Sequence, residues 1–224
     1  MNCCYLVEGR QTEKKVYRAW LGHVFPDLVE AETIGQLAPE GNHYVIVTGG
    51  GYPSYLSTIG QAIRDAIDTG NVSQMFVCVD AENETAEDRR SEISNVVEEF
   101  RVPFAVHIVV HNCCIETWFL GHGKMLRRNP QSEGLRRYKR FYDVSQNDPE
   151  LMSCPADVVV KAPFHCEYLK EMLREQNLRY TKVHPGVVMD RSYLAALAQR
   201  WQDTRHIGSF GSLLEAWREL GGAI

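Results

Sequence analysis

Met75-Phe76-Val77-Cys78-Val79-Asp80 is a run of five apolar residues closed by a carboxylate, and its reading decides the fold. A short, continuous apolar run with β-branched residues fits a strand buried on both faces. Outward from it the same unit recurs. Ile59, Ile63 and Ile67 precede it at helical spacing and stop at Gly70. Ile93, Val96, Val97 and Phe100 follow it with the same period. Tyr44–Thr48 and Phe104–Val110 read as further strands, and Cys3–Val7 as the first, ending at Glu8-Gly9. Thr12 offers an N-cap to a helix carrying Val16, Trp20 and Val24 up to Pro26. Ile115–Leu120 opens a short helix. Alternating strands and helices predict an α/β layered domain with a mostly parallel sheet covered on both faces.

Residues 1–125 carry this alternation; residues 126–224 read as a basic loop and a helical C-terminal extension packed on it. There, Phe164–Leu173, Tyr193–Trp201 and Phe210–Leu220 are amphipathic, the last two with apolar faces that serve the core or, as the alternative, a partner, while Val158-Val159-Val160 reads as one more strand. The 224 residues have a net charge of −5, 44% hydrophobic and 24% charged residues, which excludes wholesale disorder and an all-over nucleic-acid-binding surface. A chain of this size buries roughly 70% of its unfolded surface and needs no staples. The seven cysteines show no CxxC spacing and no His pair completes a zinc pattern, which argues for reduced, buried thiols and against structural zinc. Glu8 and Arg10 interrupt the first apolar stretch, and no run approaches the roughly 20 residues of a membrane span. A cytoplasmic protein is expected, with no membrane partner.

In an open parallel sheet the reactive crevice lies beyond the carboxyl ends of the strands. The expected strand ends deliver Glu8, then Gly49-Gly50-Gly51, then Asp80 with Glu82; Glu116 follows the last strand. On an extended segment Asp80 and Glu82 share a side. Acids converging on one crevice repel one another unless a divalent cation sits among them, and hard oxygen ligands select Mg²⁺ or Mn²⁺. The triple glycine is no Walker loop, because no Gly-Lys-Ser/Thr follows; it marks a close backbone approach.

Residues 121–140 hold seven basic side chains (Lys124, Arg127, Arg128, Arg136, Arg137, Lys139 and Arg140) against the single acid Glu133. Such a concentration suits phosphates. Tyr138, Phe141 and Tyr142 interleave it as candidates for stacking on bases. Among the histidines only His111, near Glu116, is kept as an outer partner of the site.

Leu6-Val7-Glu8-Gly9 with Thr12-Glu13, then Val47-Thr48-Gly49-Gly50, then Val77-Cys78-Val79-Asp80-Ala81-Glu82 resembles the Toprim domain shared by topoisomerases, bacterial primases, a ribosomal-RNA maturase and OLD-family nucleases. The Val-Glu-Gly-x-x-Thr-Glu form is similar to the OLD branch and to small Toprim proteins of bacterial anti-phage defence. Asp80-Ala81-Glu82 stands where the family carries Asp-x-Asp, and Ile115-Glu116-Thr117-Trp118 is similar to a later Glu-bearing motif. The resemblance covers about residues 1–125. It implies a nuclease using one or two Mg²⁺ or Mn²⁺ ions, held by Glu8, Glu13, Asp80, Glu82 and Glu116, with catalytic roles for Glu8, Asp80 and Glu82. In OLD-like enzymes a lysine completes the site; Lys124 and Lys161 are the candidates, with Lys124 carried as the catalytic one. DNA or RNA is the implied substrate and a separate ATPase the implied regulator. A non-catalytic module binding nucleic acid or a partner, and a maturase-like RNA-processing nuclease, are the alternatives.

Overall fold

The structure, a computed structural model, describes residues 1–156 and 158–224. Five strands form one all-parallel sheet: β1 (Asn2–Val7), β2 (Val29–Ala31), β3 (His43–Thr48), β4 (Gln74–Asp80) and β5 (Ala105–His111), in the order β2-β3-β1-β4-β5. The short edge strand β2 carries only three residues, two of them exposed, and had no legible apolar run. Helices α1 (Thr12–Val24), α2 (Ser54–Thr69), α3 (Ala86–Glu98), α4 (Ile115–Leu120), α5 (Glu133–Phe141), α6 (Lys161–Arg174), α7 (Arg191–Thr204) and α8 (Gly208–Glu219) surround it. No strand forms at Val158–Val160: the triplet meets no partner strand and Val159 is 93% exposed.

Alternation along the strands sorts the core into two halves. Cys4, Leu6, Val45, Met75, Val77 and Val79 face Tyr55, Ile59 and Ile63 of α2 and Ile93 of α3. Cys3, Tyr5, Val7, Phe76 and Cys78 face α1, α4, α6, α7 and α8. The second half is built by both parts of the chain. Trp217 donates from Nε1 to Tyr5 OH at 2.9 Å, and Trp20 donates to Val188 O at 2.9 Å. Tyr5 stacks on Phe76 with ring centres 4.5 Å apart. Thr12 does not cap α1. It is the first helical residue, and its hydroxyl donates across the fold to Lys182 O at 3.0 Å. Among the described residues no helix is long and apolar enough to cross a membrane.

The chain leaves β1 toward β2 and β3 on one side, and leaves β3 and β4 toward the other. The strand order therefore reverses between β1 and β4, which opens a crevice at their carboxyl ends.

Candidate metal centre

Two carboxylates meet at that reversal. Glu8, the residue after β1, accepts at Oε2 from the backbone N–H of Asp80 at 3.3 Å. Asp80, the last residue of β4, lies with Oδ1 2.7 Å from His111 Nδ1; His111 Nε2 is 2.9 Å from Tyr17 OH. His111 pairs in register with Asp80 and is 1% exposed. Burial pushes its pKa down to about 4, so the ring is neutral near pH 7. With Asp80 ionised, as a metal ligand must be, Nδ1–H donates to it and Nε2 accepts from Tyr17 OH. Tyr17 and His111 thereby orient the Asp80 carboxylate from behind.

Glu13, in the first turn of α1, brings its carboxylate against Gly9, where any Cβ would collide with it. Burial, and then the charge of Asp80, push Glu13 up to about 7. Burial also raises Asp80 well above the usual carboxylate range; repulsion from Glu8 and Glu116 adds to it and Lys182 opposes it. Glu8 is raised by burial, in part offset by the Asp80 N–H, with Glu82 adding repulsion. Glu116, in the first turn of α4, is 2% exposed and accepts a 2.8 Å hydrogen bond from Tyr180 OH. All five expected ligands thus share one electrostatic neighbourhood, Glu82 through its charge on Glu8.

Glu82 departs from the expected backbone. Its φ of 53° is left-handed, so the extended geometry expected across Asp80-Ala81-Glu82 ends before it. The Glu82 N–H donates to Cys113 O at 2.8 Å, which ties the turn to the end of β5, and the side chain is exposed. The close approaches in the glycine run are protein-internal. The Tyr55 ring lies against Gly49, and the Arg10 guanidinium lies against Gly50, whose φ is +76°. Gly49 and Gly50 donate to Val7 O and Glu8 O at 2.9 and 3.1 Å, which fixes the chain around Glu8.

Lys170 acts on Glu116, and Lys182 acts on both Glu116 and Asp80. The Lys182 pKa is raised by Glu116 first and by Asp80 after it, although the side chain is largely exposed. Lys124 instead lines a cleft with Gly123, Ser145 and Arg200, and Lys161 starts α6; neither contacts a site carboxylate among the described residues. Lys182, whose carbonyl accepts from Thr12, and Tyr180, which donates to Glu116, are the residues that the sequence did not signal. The 180–182 segment is irregular, and only the fold brings it over α1.

The basic stretch is less free than its composition suggests. Lys139 donates to the carbonyls of Arg127 and Arg128 at 3.1 and 2.9 Å, and Arg127 lies 3.9 Å from Glu175. Arg127, Arg128, Arg136, Arg137 and Arg140 are exposed. Of the three aromatic residues Phe141 stays 40% exposed, while Tyr138 and Tyr142 are half-buried. Tyr138 packs edge-on to Phe164, and Tyr142 OH donates to Asp148 O at 2.6 Å, so neither presents a free face for stacking. No family model, curated protein or solved structure matches this chain.

Proposed function

We propose that the chain is a Mg²⁺- or Mn²⁺-dependent nuclease that hydrolyses phosphodiester bonds at the β1/β4 crevice. The observation that carries this reading is the meeting of Glu8 and Asp80 at the ends of β1 and β4, where Glu8 Oε2 accepts from the Asp80 N–H at 3.3 Å, with the half-buried Glu13 and the buried Glu116 close enough for their charges to act on these acids. Carboxylates crowded in this way are costly alone and suit a hard divalent cation, which oxygen ligands accommodate best. Carboxylate oxygens suit that ion, and Glu8, Asp80, Glu13 and Glu116 would hold it, although among the described residues no three of them bring ligand atoms within 4.8 Å of one another. When bound, the ion supplies a water of lowered pKa and stabilises the leaving oxygen.

The protein's own residues do the rest. His111 and Tyr17 keep the Asp80 carboxylate aimed, and Tyr180 does the same for Glu116. Lys182, exposed at the rim yet coupled to both acids, offsets charge on the phosphate as the bond breaks. The exposed arginines at 127, 128, 136, 137 and 140 add a long-range attraction for the nucleic-acid backbone.

The test is cleavage of single- and double-stranded DNA and RNA with Mg²⁺, Mn²⁺ or a chelator. Cleavage is expected only with metal. Lys182→Met should lower kcat about 10–100-fold without changing Mn²⁺ affinity, whereas Lys124→Ala should leave kcat within about twofold. Equal losses in the two variants would remove Lys182 from the site.

A further inference from the structure

Beside the carboxylates lies a second cluster of different chemistry. Cys113 and Cys114 form the turn between β5 and α4, and His165 sits in the second turn of α6. Their ligand atoms all lie within 4.8 Å of one another, and the three residues are 4%, 1% and 1% exposed. Cys113 Sγ is 3.6 Å from His165 Nδ1. Thr117 Oγ1 touches every member: 2.8 Å to His165 Nδ1, 3.7 Å to Cys113 Sγ and 3.6 Å to Cys114 Sγ.

We propose that Cys113, Cys114 and His165 bind a structural Zn²⁺ ion, with the Thr117 hydroxyl at the fourth corner. Zinc bonds of about 2.3 Å to sulfur and about 2.0 Å to nitrogen, set tetrahedrally, separate the ligand atoms by about 3.5–3.8 Å. The sulfur–nitrogen and sulfur–oxygen distances of 3.6–3.7 Å already match that figure. The 2.8 Å edge between Thr117 and His165 must open, and the Cys113–Cys114 and Cys114–His165 edges lie within 4.8 Å. Two thiolates and an imidazole select a borderline-soft ion, so this site and the oxygen-lined crevice take different metals. The closed, buried setting is that of a structural ion rather than a catalytic one. Nε2 of His165 is buried without a hydrogen-bond partner, so the ring has its polar anchoring at the Nδ1 side alone.

The consequence is mechanical. The ion clips the first turn of α4, which carries Glu116, to α6, joining residues far apart in the chain. Because ligands from separate segments meet only in the folded state, binding adds to folding stability. A cluster of thiols, hydroxyl and imidazole joined by hydrogen bonds alone is the competing account.

Metal content and Co²⁺ substitution of the full-length wild-type protein separate the two. The expected result is about one zinc per chain after purification, retained with excess Mg²⁺. Co²⁺ in its place should give the intense visible bands of a tetrahedral ion and thiolate-to-cobalt charge transfer in the near ultraviolet. Cys114→Ser and His165→Gln should each weaken both signals, and circular dichroism checks that the variants fold. Folded wild-type protein that takes up no zinc, or binds Co²⁺ with only the weak bands of oxygen ligation, overturns the proposal. The wild-type spectra decide even if both variants misfold.

Discussion

Asp80→Asn is expected to abolish metal-dependent cleavage, by about 10³-fold or more in kcat, while making the metal-free protein more stable. A loss of that size is about 4 kcal/mol of transition-state stabilisation, the order a lost metal-ligand carboxylate removes. The gain in stability follows from the same residue. Asp80 stands at the centre of the repulsion: Glu8 and Glu116 raise it, and it raises Glu13 in turn. A neutral amide keeps the His111 contact with its carbonyl oxygen and removes the charge. The pH dependence has a definite sign. Glu13 titrates near about 7 when folded and near 4.5 when unfolded, so its stabilising share is complete below about 4.5 and is lost as pH rises through about 7. His111 has the opposite sign, lowered from 6.5 to about 4, and loses stability only as pH falls below about 6.5. Thermal unfolding in chelator should therefore show a falling Tm from about pH 6 to about pH 8, where the acids dominate. Added Mg²⁺ should cancel the fall, and Asp80→Asn should flatten it. A variant that loses activity together with several degrees of Tm would make Asp80 a structural residue instead.

Residues 1–125 expressed alone should not fold cooperatively, although they carry every strand of the sheet and every expected ligand. One face of that sheet is covered by α6, α7 and α8, which supply Phe164, Leu169, Leu197, Phe210, Leu213 and Trp217 to its core. Without them Tyr5, Phe76, Trp20 and Trp118 face water. Trp217→Ala in the full chain should itself cost about 3–5 kcal/mol, because it leaves a cavity and strips the buried Tyr5 hydroxyl of its 2.9 Å donor. Chemical denaturation of the variant and of the fragment measures both effects. A soluble fragment with a cooperative transition would show that the extension only decorates a self-sufficient domain.

The parts of the structure that were legible in the sequence are those with a local signature. Five-residue apolar runs such as Met75–Val79 announce buried strands because no polar residue interrupts either face, and the acids that end them fall where the sheet order reverses. Glu8 and Asp80 could be assigned for that reason. Lys182 could not: it lies in an irregular segment about 100 residues from Asp80, and its link to the site runs through Thr12, which sequence logic assigns to a helix cap. The extended backbone expected at Glu82 is not found, because alternation along a strand cannot foresee a left-handed turn held by Cys113 O. Tyr138 and Tyr142 looked available for stacking because their basic neighbours are exposed, yet the helical period of α5 turns Tyr138 onto Phe164. Cys113, Cys114 and His165 follow no metal spacing at all; the topology alone unites them.

Crystals soaked in Mn²⁺ give the most direct test, through anomalous scattering. A manganese peak is expected at the β1/β4 crevice, about 2.2 Å from carboxylate oxygens of Asp80 and Glu8, with Glu13 or Glu116 completing the shell. No peak there at millimolar Mn²⁺, with the two carboxylates left bonded only to His111 and the Asp80 backbone, would contradict the account.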